Sequence, residues 1–208
     1  MTVLTETLDR LEYWLWQNHP GVAELLKPGL TSEEIDNQVQ DLPVQLTQEI
    51  KELYQWTNGC SVFALPFHDE SIGVMSLEAA IQISYDWRCT ASESVMQIVN
   101  LPNLVMFPEY EALIYCAFCD GNESSSIFAV DGEDRNHAML IYSSINSMAL
   151  TTLECYERKI LKIEDGSIRP KDKNMFKEFE SVRKQNNATF DPESIRERYN
   201  IELVIRYE

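Results

Sequence analysis

The chain has 208 residues, 44% of them hydrophobic and 10% aromatic, which is enough to bury a full core and too much for wholesale disorder. Its formal net charge is −17, from 34 acidic and 17 basic residues, and so acidic a body repels phosphate backbones, which sets it against nucleic acid as a ligand. No apolar run approaches the roughly 18 residues of a membrane helix, and Met1 to Glu6 lacks the basic and apolar stretches of a secretory signal.

The charge is unevenly placed. Residues 1–156 hold five cations (Arg10, Lys27, Lys51, Arg88 and Arg135) against 23 carboxylates, whereas residues 157–208 hold 12 basic and 11 acidic residues. Five cysteines cannot all pair within one chain, which points to free thiols and a cytoplasmic location.

In chain order, Leu4, Leu8, Leu11 and Leu15 share one helix face, so residues 2–18 read as a helix stopped by His19-Pro20-Gly21. Tyr13, Trp14 and Trp16 widen its apolar surface, which fits either burial on two sides or a partner surface. Thr31-Ser32-Glu33-Glu34 is a capping box and predicts a short helix ending before Pro43. A helix from about Val44 to Thr57 follows, with Leu46, Ile50, Leu53 and Tyr54 inward and Asn58-Gly59 closing it.

Cys60–Phe67 and Ile72–Met75 read as strands around a turn at His68 to Ser71. Ser76 caps a helix from Leu77 to about Trp87, and residues 89–103 have no clean period beyond some helix near Val95–Val99. Leu104–Phe107, Leu113–Cys119, Ser125–Val130 and Ala138–Tyr142 then read as four strands. They are separated by turns at Pro108-Glu109, Asp120-Gly121-Asn122 and Asp131 to Asp134. Such short connections imply antiparallel neighbours. A helix from Ser147 to about Lys162, a small hairpin pairing Ile163 with Ile168, and a helix over 171–184 with Met175, Phe176 and Phe179 inward come next. Asp191-Pro192 starts another helix, and Ile201–Tyr207 alternates like a final strand. The fold class is α+β: an antiparallel or mixed sheet meander flanked by N-terminal and C-terminal helices.

Motifs that carry chemistry are few. Cys116-Ala117-Phe118-Cys119 is a CxxC, but it falls on a predicted strand. Residues three apart there point to opposite faces and suit neither a disulfide nor a shared metal. A redox CxxC sits instead at a helix N-terminus. His19, His68 and His137 each lie beside a turn, and no pair has metal-binding helical spacing. Glycine-rich phosphate loops and nucleophile elbows do not occur, and the acids at Asp131, Glu133 and Asp134 read as a turn. No catalytic residue, metal ligand or cofactor is expected. A hydrolase reading would have to rest on scattered carboxylates such as Asp69, Glu109 and Asp131.

One further pattern concerns order. Leu26 to Ile35 carries a Pro28-Gly29 and a capped Glu33-Glu34-Ile35 start. Leu42-Pro43 follows, and then Glu49 to Gly59 ends in Leu53-Tyr54-Gln55-Trp56-Thr57-Asn58-Gly59. These pieces, in this order, resemble the SUKH superfamily, which also contains the Smi/Knr-type regulators of cell-wall glucan synthesis. Gly73 to Ala80, Ile127 to Asp131 and Met139 to Tyr142 are similar to its later strands and helices. The likeness covers about 20–160; residues 1–160 form the shared domain and 161–208 a charged helical extension packed on it. A family tryptophan before the central strands is Phe107-Pro108 here.

The resemblance implies a sheet packed against helices, no enzyme activity and a protein partner. Many bacterial members bind and neutralise a toxin domain, and others are regulatory scaffolds. The expected function is therefore a cytoplasmic immunity protein for a basic toxin domain, with a cell-wall-type regulator as the alternative. Neither a nucleic acid nor a membrane is an expected partner. The expected partner surface is the acidic turns: Asp69 and Glu70, Glu109 and Glu111, Asp120 and Glu123, Glu133 and Asp134.

Overall fold

The computed structural model describes residues 2–63, 73–90, 103–110, 113–131, 138–164, 167–170 and 173–187. Leucine spacing builds the first helix, α1 (Val3–Asn18), which buries Leu4, Leu8, Leu11 and Leu15 and is capped by the Thr2 hydroxyl on the Thr5 N–H. His19 ends it, and Pro20 at once opens a four-residue helix, α2 (Pro20–Ala23), so the expected stop is a corner between two helices.

The predicted capping box forms at α3 (Ser32–Val39). The Glu34 N–H donates to Thr31 Oγ1 at 3.2 Å, and the Thr31 N–H donates to Glu34 Oε2 at 2.7 Å. The next helix, α4 (Gln48–Trp56), starts four residues later than the sequence reading has it. Gln45 is the reason: its N–H donates to the Cys119 carbonyl and its own carbonyl accepts the Gly121 N–H. Those backbone groups serve the end of the sheet and cannot serve a helix.

The strands expected at Cys60–Phe67 and Ile72–Met75 reduce, among the described residues, to one antiparallel bridge between Cys60 and Val74. The turn over 68–71, the helix near Val95–Val99, the Asp191 helix start and the 201–207 strand lie outside the described residues. Helix α5 (Leu77–Thr90) runs three residues beyond its expected end, with Ser76 Oγ accepting the Ala79 N–H.

The meander is β1 (Asn103–Tyr110), β2 (Leu113–Phe118), β3 (Ile127–Asp131) and β4 (Ala138–Tyr142), all neighbours antiparallel in the order β1-β2-β3-β4. Pro108 and Glu109 belong to β1 rather than to the turn. The β1–β2 register slips between Val105 and Phe107 and again between Phe107 and Tyr110, which accommodates a residue with no N–H to donate.

Both faces of this sheet are buried. Leu104, Met106, Tyr115, Ala117, Ile127, Ala129 and Ile141 join the main core with α1, α4 and the helix that follows β4. Their neighbours Val105, Ile114, Cys116, Phe118, Phe128, Val130 and Leu140 are also buried, on the opposite side of the pleat. Phe118 and Phe128 meet there edge to face, centroids 4.5 Å apart.

Helix α6 (Ile145–Glu157) ends five residues before its expected end. Lys159 takes a positive φ of 59°. The Ile160 N–H then reaches back to the Cys155 carbonyl and the Lys159 N–H to that of Tyr156, a Schellman closure with lysine at the usual glycine place. The hairpin of β5 (Leu161–Glu164) and β6 (Ser167–Pro170) pairs Ile163 with Ile168 as read. In α7 (Lys173–Asn186), Phe179 and Val182 enter the main core, whereas Phe176, expected inward, is 36% exposed. Chain segments on both sides of residue 160 thus share one core. No helix among the described residues is long and apolar enough to cross a membrane.

Candidate interaction surface

The acidic turn between β2 and β3 is held from below by buried polar groups. Thr47, which caps α4, shares a 2.6 Å hydrogen bond with Ser125, and Ser125 Oγ donates to the Phe118 carbonyl at 2.6 Å. The first N–H groups of α4, from Gln48 and Glu49, donate to the carbonyls of Asn122 and Glu123. These donors lack partners inside their own helix, so the turn satisfies them.

Glu49 fastens the same junction. Its Oε2 accepts the N–H groups of Ser125 at 2.9 Å and Ile145 at 3.0 Å, and its Oε1 accepts that of Asn146 at 3.2 Å. One carboxylate thereby joins α4, the turn and the start of α6, where the helix dipole favours negative charge. Burial pushes its pKa up, opposed by the three N–H donors. The sequence singles out Glu49 only as part of the α4 motif; nothing local marks a carboxylate that binds residues about 100 positions away.

On this base Asp120 clamps the turn. Its Oδ1 accepts the Asn122 N–H at 3.2 Å and its Oδ2 the Asn122 side-chain amide at 2.7 Å. Gly121 takes a φ of +77°, which glycine adopts without strain. Glu123 is exposed, and its carboxylate carries no ion pair or hydrogen bond among the described residues. Of the eight expected partner-surface residues, only Asp120 and Glu123 have described side chains, and both stand on one rigid turn. Glu109 lies in β1, where its backbone alone is described; Asp69, Glu70, Glu111, Glu133 and Asp134 lie outside the described residues. Of the hydrolase carboxylates, Glu109 and Asp131 belong to β1 and β3, which β2 separates by about 10 Å of backbone.

The thiols are packing groups. Cys60, Cys116, Cys119 and Cys155 are buried, and Cys89 is exposed. Burial pushes the thiols of Cys60, Cys116 and Cys155 up to about 12 and raises that of Cys119 too, so they hold their protons and lack nucleophilic character. Cys116 lies in β2, whereas Cys119 lies one residue beyond its end and joins the main core. His19 caps α1 and tilts against Trp14 with ring centroids 5.6 Å apart; His68 and His137 lie outside the described residues.

The second exposed feature is aromatic. The sequence leaves open whether Tyr13, Trp14 and Trp16 face a second core or a partner. Tyr13 is 68% and Trp16 45% exposed, so two of the three face outward. Trp14 is half-buried and stacks flat on Tyr156, with centroids 4.6 Å apart and planes 12° from parallel. Tyr156 in turn donates its hydroxyl to the Val62 carbonyl at 2.9 Å. Between Tyr13, Trp14 and Glu157 lies an open cleft of about 340 Å³, bordered by Asp9, Arg10 and Gln17.

The Pro-Gly and Asn-Gly motifs meet in space. The Asn58 N–H donates to the Pro28 carbonyl, the Lys27 N–H to that of Gly59 and the Leu30 N–H to that of Tyr54. A Cβ on Gly29 would lie 1.7 Å from the Gln55 carbonyl oxygen, and Gly59 has a φ of +118°. Both glycines are required by backbone geometry. A comparison of the chain with models of known protein families and with characterised proteins finds no match.

Proposed function

We propose that this chain is a non-enzymatic protein-binding domain that neutralises a basic toxin domain, in the manner of SUKH-type immunity proteins. The observation that carries the reading is the excess of 23 carboxylates over five cations in residues 1–156. Such a field speeds encounter with a basic partner and repels polyanions. The rigid Asp120–Glu123 turn supports it, because acidic groups on a pre-ordered loop bind without a large ordering cost. The buried, protonated thiols suit packing better than nucleophilic catalysis. The ordered motifs around Gly29 and Gly59 are the basis for the comparison with that superfamily. Its regulatory members offer the alternative of a cell-wall-type scaffold.

The test is direct. The purified chain is mixed with each basic toxin domain encoded beside its gene, and complex formation is followed by chromatography and by association kinetics. The expected result is a stoichiometric complex whose on-rate falls steeply with salt. Failure of every such domain to bind overturns the immunity reading; capture of a cell-wall enzyme with the same salt dependence favours the scaffold.

A further inference from the structure

We propose that the cleft beside α1 receives an arginine or lysine side chain from an extended basic segment of a partner protein. The inference rests on the protein-binding reading and adds where, and with what chemistry, the partner is held.

The walls come first. Tyr13 leaves most of its ring in water, and its neighbour Trp14 lines the same cleft. Trp14 is not free to swing: it is stacked on buried Tyr156, whose hydroxyl is tied to the Val62 carbonyl. With Tyr156 stacked on the indole and His19 tilted against it at 5.6 Å, the cation is offered the exposed Tyr13 ring and the part of the fixed indole that borders the cleft, whose rigidity lowers the ordering cost of binding. At about 340 Å³ the cleft is at the small end of ligand pockets, which suits one long side chain.

The charges choose the occupant. Asp9 borders the cleft and its carboxylate has no ion pair or hydrogen bond among the described residues. Glu157 borders it too, and a guanidinium already sits on this carboxylate: Arg10 Nη2 lies 3.1 Å from Glu157 Oε1, with the two side chains 59% and 46% exposed. So open a pair is readily exchanged. The resident contact shows what this rim accepts, and an incoming cation can take Asp9 and compete with Arg10 for Glu157. An anionic group is opposed by both carboxylates and by the field of the acidic body. A purely apolar group leaves Asp9 beside a desolvated surface with no counter-charge.

The experiment uses the full chain labelled with nitrogen-15 and follows the four indole N–H signals by NMR. The probe is an end-blocked pentapeptide of glycine with a single central arginine; matched peptides carry lysine, norleucine or glutamate. The expected result is a saturable shift of the Trp14 signal with arginine and lysine, at roughly millimolar affinity, and none with norleucine or glutamate. Tyr13→Ala and Asp9→Asn each weaken binding by about fivefold or more. Arg10→Gln strengthens it several-fold by releasing Glu157. Lys51→Gln changes the net charge equally but at a pair with Asp36, and leaves binding unchanged. Asp9, Arg10 and Tyr13 are exposed, so unchanged dispersion of the remaining spectrum certifies folding. Equal shifts with norleucine, equal effects of Arg10→Gln and Lys51→Gln, or a silent Trp14 signal would each overturn the proposal. A toxin complex that survives Tyr13→Ala undiminished removes the cleft but leaves the protein-binding reading standing. Peptide binding without any toxin partner does the reverse.

Discussion

Glu49 binds three backbone N–H groups from two distant segments while being largely removed from water. Desolvation is the larger effect and raises its pKa above the ordinary value of about 4.5. The sign follows from linkage: the folded state holds this proton more tightly than the unfolded chain does. The stability this group contributes is therefore greatest below about pH 4.5 and declines as pH rises through the raised folded value. Glu49→Gln cannot titrate, so the stability of the wild type relative to this variant falls between pH 4 and pH 7. Urea midpoints across that range measure it. A difference that grows with pH would mean the N–H donors outweigh burial.

Gly29 makes a different argument at the same scale. Its Cβ position is filled by the carbonyl of Gln55, a backbone atom inside α4 that cannot yield. Gly29→Ala must separate the two segments and should cost about 1–3 kcal/mol, by the magnitudes known for forced core shifts. Urea denaturation of the variant reads this loss. Wild-type stability would show that the Pro28–Gly29 segment is free to move away from α4.

Among the elements, α6 closes without glycine. Lys159 at φ 59° carries the cost that L-residues incur in the left-handed region, and its Schellman bonds remain intact. Lys159→Gly should therefore raise stability by about 1 kcal/mol, against the usual loss when glycine enters a helix. Thermal unfolding measures the change; a loss would show that the lysine side chain contributes more than its backbone costs.

The same lysine explains why the end of α6 was illegible. The apolar pattern runs on through Ile160 and Leu161, and no glycine marks the break. Where the boundary signals are chemical, as in the Thr31–Glu34 box or the Asp120-Gly121 turn, sequence and structure agree. The start of α4 differs for the opposite reason, since Gln45 is claimed by a strand end about 75 residues away. Phe176 is exposed whereas Arg183, seven residues on along α7, is buried, so apolar spacing alone does not mark the inner positions of this helix. Arg183, buried against Glu180 at 2.6 Å, donates to the Ile141 carbonyl of β4 at 2.9 Å. A charged residue in a core position defeats hydrophobic periodicity. Arg183→Leu strands the Glu180 charge and should cost about 3–5 kcal/mol, whereas Arg183→Leu with Glu180→Leu together should recover most of it. A double-mutant cycle in urea decides; no recovery would show that the bond to Ile141 is the stronger tie.

For the whole molecule the governing quantity is the field. A net charge of −17 opposes compaction, and the opposition is screened by salt. Raising sodium chloride from about 10 to 300 mM at pH 7 should therefore raise the melting temperature, because repulsion acts across the whole acidic body while exposed ion pairs such as Arg10–Glu157 contribute little. The same field sets association. Glu123 is the clean place to test it, for its carboxylate has no structural partner among the described residues, whereas Asp120 holds the turn. Glu123→Lys should leave the melting temperature within about 1 °C and slow association with a basic toxin domain roughly threefold or more at low salt, with dissociation little changed. An unaltered on-rate would mean that the partner approaches another face, and would shift attention to the α1 cleft.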